Sequence, residues 1–153
     1  MKIVIDTDIW ALGLKGPFMT KHDPDAETAL TAQSFLKKQL QEVDDLLFSD
    51  HLLFEIYDVL TRRGNQIPAG QAKRLIEDLI ARSESVYRPV SSASLLRCVQ
   101  LSSASGIPLS DYLVCYPFED AIDRVYTMDA HFRHSSFQSL AQIENPIGVW
   151  KNE

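Results

Sequence analysis

Apolar residues recur along the chain with two different periods, and their succession predicts strands alternating with helices. Lys2-Ile3-Val4-Ile5 is a short β-branched run ended by Asp6-Thr7-Asp8, the pattern of a buried parallel strand that delivers polar groups at its carboxyl end. Leu46-Leu47-Phe48 reads as a second strand, Val86-Tyr87 ahead of Pro89 as a third, Arg124-Val125-Tyr126-Thr127 as a fourth and Ile147-Gly148-Val149-Trp150 as the last. Between them the spacing becomes helical. Ala29, Ala32, Phe35, Leu36 and Leu40 form one apolar face after Pro24-Asp25, and Ser49 caps a helix over 50–63 that Gly64 ends. Ala72, Leu75, Ile76, Leu79 and Ile80 mark a helix over 69–83, and Ser91 and Ser92 open another that reaches Ser103. After the turn Ser105-Gly106-Ile107-Pro108, Ser110 can cap a short helix holding Asp111, Leu113, Val114 and Tyr116, which Pro117 ends or kinks. The stretch from Gly13 to Asp25 carries glycine, proline and polar residues and reads as an enlarged loop beside the first strand's carboxyl end.

Alternating strands and helices predict an α/β fold, a parallel sheet covered on both faces and joined by right-handed crossovers. No repeat, low-complexity segment or linker interrupts residues 1–153, so a single domain is expected. In such sheets ligands bind beyond the carboxyl ends of the strands. Asp6 and Asp129 stand just past two of those ends, while Glu55 and Asp111 sit early in two of the helices, the portion nearest the same edge. Four separate stretches thus aim carboxylates at one region.

Composition changes this picture in only a few respects. The chain has 15 Lys plus Arg against 21 Asp plus Glu, a formal charge of −6, which argues against tight, nonspecific phosphate-backbone binding. It leaves room for a nuclease, because carboxylates that hold a cation change the sign of the local field. No run approaches the roughly 18 apolar residues of a membrane helix, and Asp6 interrupts the apolar start too early for a secretory segment, so a cytoplasmic protein is expected. The two cysteines, Cys98 and Cys115, match no zinc or redox spacing and read as small core residues.

Clustered carboxylates need a partner. Two of them about 4–5 Å apart repel by roughly 3–4 kcal/mol at an effective dielectric near 20, and four in one cleft multiply that penalty. Either protons are taken up through raised pKa values, or a hard divalent cation sits among the oxygens. Mg²⁺ or Mn²⁺ fits best, since such ions use a few carboxylates and keep waters that a phosphate oxygen can replace.

Four stretches, IDTDIW at 5–10, FEIYDVLTRRG at 54–64, IPLSDYL at 107–113 and VYTMDAHF at 125–132, resemble the motifs of the PIN-domain family, notably the VapC-like ribonucleases that act as toxins in prokaryotic toxin–antitoxin pairs. The resemblance spans the chain, and its most specific part is the strand followed by Thr-x-Asp and an aromatic residue three positions on. It implies a three-layer α/β/α fold with a central parallel sheet of about five strands. It implies that Asp6, Glu55, Asp111 and Asp129 form a metal-binding acidic quartet, with Asp8 supporting the first aspartate and Thr127 fixing the geometry of the fourth motif. The implied reaction is metal-assisted hydrolysis of phosphodiester bonds in single-stranded RNA, and the implied partners are a basic or amphipathic antitoxin and a second copy of the chain, with an interface near 24–40 and 69–83. The acidic cluster Glu119, Asp120 and Asp123 after Pro117, and the long segment from Gly13 to Asp25, depart from the family pattern. Candidate phosphate contacts are Arg62, Arg63, Lys15, Lys21, Arg133, His131 and His134; His131-x-x-His134 lacks the Glu and helical context of a zinc-protease pair, and Trp10 and Trp150 read as core. Two other readings remain open: a noncatalytic RNA- or protein-binding module of the same fold, and a haloacid-dehalogenase-type phosphatase, whose nucleophile motif Asp6-x-Asp8 also matches.

Overall fold

The computed structural model describes residues 1–153. Five strands, β1 (Lys2–Ile5), β2 (Asp45–Ser49), β3 (Ser85–Arg88), β4 (Arg124–Tyr126) and β5 (Gln142–Glu144), form one sheet in the order β3-β2-β1-β4-β5, and every pairing is parallel. Seven helices flank it: α1 (Thr7–Lys15), α2 (Ala26–Glu42), α3 (Asp50–Arg62), α4 (Ala69–Ala81), α5 (Ser92–Ser105), α6 (Leu109–Cys115) and α7 (Ser135–Gln138). Consecutive residues of the inner strands, Ile3-Val4-Ile5 and Leu46-Leu47-Phe48, are all buried, so both faces of the sheet are covered, as parallel pairing requires. No helix is long and apolar enough to cross a membrane.

The strand order places the functional edge. From β1 at the centre the chain steps outward to β2 and β3, then returns to the opposite side of β1 for β4 and β5. Its direction of winding reverses between β1 and β4, and beyond the carboxyl ends of two such strands a crevice opens. Ile5 pairs with Tyr126, and the Asp6 N–H donates to the Tyr126 carbonyl at 2.9 Å, so Asp6 emerges beside Thr127 at this point.

Three expectations are corrected. The last strand is Gln142–Glu144 and not Ile147–Trp150. There, Asn145 Oδ1 accepts the N–H groups of Ile147 and Gly148, its amide donates to the Val149 carbonyl, and Gly148 has φ +92°, which closes a turn incompatible with an extended run. Only Lys151 makes an isolated parallel bridge, to Asp129. The presumed loop from Gly13 begins inside a helix: α1 starts directly after Asp6, whose Oδ1 accepts the Thr7 N–H, and buries Ile9 and Trp10 completely. Gly13 lies where α1 meets α2; a Cβ there would stand 2.2 Å from Leu36 Cδ1, so the glycine permits close helix contact. Finally, α6 begins at Leu109 after Pro108, which leaves Ser110 inside the first turn and not at the cap. Pro117 does end α6, within a 3₁₀ turn over Tyr116–Phe118.

Candidate metal centre

Asp6 is 7% exposed and its carboxylate is held on two sides, by the Thr7 N–H at 2.8 Å on Oδ1 and by the Thr127 hydroxyl at 2.8 Å on Oδ2. The same Thr127 oxygen accepts the Asp129 N–H at 2.9 Å, so one fully buried hydroxyl ties the residue after β1 to the residue after β4. Asp129, also 7% exposed, opens a 3₁₀ turn over Ala130–Arg133 by accepting the His131 N–H at 2.9 Å. The main chain there is pinned from the other side: the Ala130 N–H donates to the Lys151 carbonyl at 2.9 Å and the Lys151 N–H to the Met128 carbonyl at 2.8 Å.

Asp111, in the first turn of α6, comes to this group across the cleft. His131 Nδ1 lies 3.1 Å from Asp111 Oδ2 and 3.2 Å from Asp129 Oδ1, and one ligand atom from each of the three residues falls within 4.8 Å of the others. Glu55 stands further out, in the second turn of α3. Its Oε1 is 2.6 Å from His51 Nε2, one turn earlier, and its Oε2 accepts a long bond from the Thr7 hydroxyl at 3.5 Å. Asp8 lies on the first turn of α1, 3.9 Å from Lys151 Nζ.

Position explains the electrostatics. Burial, and next the charge of Asp8, push the Asp6 carboxyl well above the ordinary carboxylate range, with Asp111 adding to the effect and the bonds from Thr127 and Thr7 opposing it. Burial, then the charge of Asp129 and, more weakly, that of Glu55, raise Asp111 to about 6, against the opposing pull of His131. The charges of Asp8 and Asp111 thus bear on Asp6, and those of Asp129 and Glu55 on Asp111, at one edge of the sheet. Three donor atoms within 4.8 Å of one another, two of the pairs at 3.1 and 3.2 Å, could be drawn onto a small divalent ion, and the oxygen-rich set suits a hard one.

No family model matches the sequence, and no curated protein matches it. Several solved structures share its fold. VapC20 of Mycobacterium tuberculosis, a toxin that cleaves the sarcin-ricin loop, superposes with a TM-score of 0.61 at 16% identity, covering 86% of this chain and 93% of its own. VapBC2 of Rickettsia felis, solved bound to a DNA fragment from their promoter, gives a TM-score of 0.56 at 13% identity over 95% of this chain and 98% of its own. This chain has the PIN-like fold of those structures. In that PIN-like fold the four carboxylates named from the sequence all reach the edge of the sheet near β1 and β4, but not as equals: Asp111 and Asp129 approach closely, Asp6 joins them through Thr127, and Glu55 is engaged with His51.

Sequence reasoning missed two close partners of this group. His131 was read as a phosphate contact, and its meeting with Asp111 depends on a fold contact between residues 20 apart, which no local pattern reveals. His51, four residues before Glu55, was legible as an i,i+4 neighbour on α3. Among the suggested phosphate contacts, Lys15 is turned inward: it is 6% exposed and its ammonium donates to the Arg63 carbonyl at 2.6 Å. Arg133 lies over the Trp150 ring at 4.0 Å, so that tryptophan is a platform for an arginine rather than a core residue. Arg62 lines a cavity of about 510 Å³ together with Tyr57, Thr61 and Ile67, and none of the four acids borders it.

Proposed function

We propose that the chain is a divalent-metal-dependent endoribonuclease that hydrolyses phosphodiester bonds of single-stranded RNA, and that it is the toxin of a toxin–antitoxin pair. The observation that carries this reading is the approach of Asp111 and Asp129 beside the buried, Thr127-linked Asp6 at the point where the sheet reverses its winding. Such a group of carboxylates is stable at neutral pH when a cation offsets their repulsion. The fold shared with VapC20, a loop-cleaving toxin, supports the choice of RNA as substrate, and that shared with VapBC2 supports the choice of an antitoxin partner.

Asp6, Asp111 and Asp129 would hold Mg²⁺ or Mn²⁺, with Glu55 binding directly or through water once released from His51. A bound ion supplies a water of lowered pKa and positive charge toward the phosphoryl oxygens. Thr127 ties the Asp6 carboxylate to the Asp129 main chain, and the His131 N–H holds the Asp129 carboxylate, so both would be oriented before substrate arrives. Lys151, paired with Asp8 at 3.9 Å and half exposed, would meet the RNA backbone at the rim of the cleft. An acidic surface fits a basic antitoxin segment that covers the cleft, and exposed Leu30 on α2 and Ile80 on α4 fit the homodimer expected through those helices. A location in the cytoplasm, where RNA is at hand, completes the reading.

The test is cleavage of single-stranded RNA by purified protein with Mn²⁺, Mg²⁺ or EDTA, beside Asp6→Asn and Asp129→Asn. Cleavage that requires the ion and drops at least about 100-fold in each variant is expected. Activity that survives both EDTA and the two substitutions would refute the reading.

A further inference from the structure

His131 sits where a ligand would. It stands two residues past Asp129 on the 3₁₀ turn, and its Nδ1 faces Asp111 Oδ2 at 3.1 Å and Asp129 Oδ1 at 3.2 Å, nearly equidistant from two carboxylates on different elements. Donors bound about 2.1 Å from a six-coordinate ion lie about 3 Å apart at right angles and about 4.2 Å apart across it. The ring nitrogen's two separations match the first figure, and the whole trio, within 4.8 Å, accommodates both. The ring is held there by its backbone. The His131 N–H donates to Asp129 Oδ1 at 2.9 Å, and the next residue, Phe132, is fully buried with its ring 4.3 Å from that of Phe137. With one third of its side chain exposed, the imidazole is reachable from solvent.

Resting on the metal-dependent reading above, we propose that His131 Nδ1 is a nitrogen ligand of the centre, sharing the ion with Asp111 and Asp129, and that it biases the site toward first-row transition ions such as Mn²⁺ over Mg²⁺. An imidazole adds little for Mg²⁺, which prefers oxygen and water, whereas transition ions gain from a nitrogen donor. In the tautomer that carries its proton on Nε2, the Nδ1 lone pair is free to take a cation shared with the two carboxylates.

The experiment uses the metal-stripped full chain. Mn²⁺ is added and pulsed electron paramagnetic resonance reads ¹⁴N coupling to the bound ion, while calorimetric titrations with Mn²⁺ and Mg²⁺ give the two affinities. In the unsubstituted protein a ¹⁴N coupling is expected. It should vanish in His131→Gln and persist in His51→Gln and His134→Gln, the nearby imidazoles that pair with Glu55 and Ser136. Mn²⁺ affinity should fall about tenfold in His131→Gln, with Mg²⁺ affinity changed less than about twofold. Bound Mn²⁺ without ¹⁴N coupling, coupling that survives His131→Gln, or equal losses for both ions would overturn the inference while leaving the carboxylate centre standing. Failure of the unsubstituted protein to bind either ion would overturn both.

Discussion

Thr127 uses one hydroxyl group twice, donating to Asp6 and accepting from the Asp129 backbone, in a spot with no access to water. Thr127→Val keeps the shape and removes both bonds, leaving a buried N–H without an acceptor and a buried carboxylate short of a donor. A loss of about 1–3 kcal/mol follows, roughly 2–10 °C in Tm for a chain of this size, and Thr127→Ser should recover most of it; thermal unfolding of the three proteins checks this. At the same scale, Asp111 makes the metal-free protein sensitive to pH. Its carboxyl is raised from 3.8 to about 6, chiefly by burial and then by Asp129, so the folded state favours the protonated form. The stability this contributes is fully present below the unfolded value and is lost as pH rises through about 6. Asp6 is shifted in the same direction. In EDTA, melting temperatures should therefore decline between pH 5 and pH 7.5, and Asp111→Asn should flatten that decline; a flat profile in the unsubstituted protein would contradict the close approach of these carboxylates.

Among the elements, Ser49 does for the helices what Thr127 does for the strands. Its hydroxyl caps α3 by accepting the Leu52 N–H at 3.1 Å and donates to the Leu113 carbonyl of α6 at 3.0 Å, which fixes the helix of Glu55 against the helix of Asp111. Ser49→Ala should cost about 1–3 kcal/mol and lower RNA cleavage, readable as a lower midpoint in urea and a reduced kcat. This cap was visible in the sequence, since a serine between an apolar run and a helical spacing has few other uses. The inner strands were legible to within a residue or two for a related reason: a strand buried on both faces must be continuously apolar, as Ile3-Val4-Ile5 and Leu46-Leu47-Phe48 are, whereas β3, at one edge with Val86 and Tyr87 exposed, was legible only from that β-branched and aromatic pair ahead of Pro89. At the sheet edge that constraint lapses. β5 carries one apolar residue, Ile143, between Gln142 and Glu144, and the more apolar Ile147–Trp150 drew the assignment although Asn145 and Gly148 turn the chain there. α1 was hidden because Gly13 and Gly16 look like loop residues; Gly13 is dictated by Leu36 of α2, a tertiary fact absent from the local pattern.

On the scale of the whole molecule, the carboxylates were legible because the winding of an α/β sheet dictates where its ligand edge lies, whatever the sequence identity; the fold is shared with VapC20 at 16% identity. The histidines were not, since a side chain that arrives from another element leaves no spacing to read. The acidic character of the chain then sets a global expectation. With a charge of −6 and several carboxylates crowded at one edge, the folded state should bind a divalent ion far better than the unfolded chain, where the same groups are dispersed. Mass action makes this measurable: an ion at 100 times its Kd adds about 2.7 kcal/mol, roughly 5–10 °C in Tm for a chain of this length. Mn²⁺ or Mg²⁺ should thus raise the Tm progressively with concentration, an equal ionic strength of NaCl should not, and Asp129→Asn should abolish most of the rise. The rise should also be larger at pH 7.5 than at pH 5, because at the lower pH a proton on Asp111 competes with the ion for the same oxygens. A divalent-ion effect no greater than that of NaCl, or one equal in Asp129→Asn, would show that the carboxylate edge holds no ion and that its repulsion is relieved by protons alone.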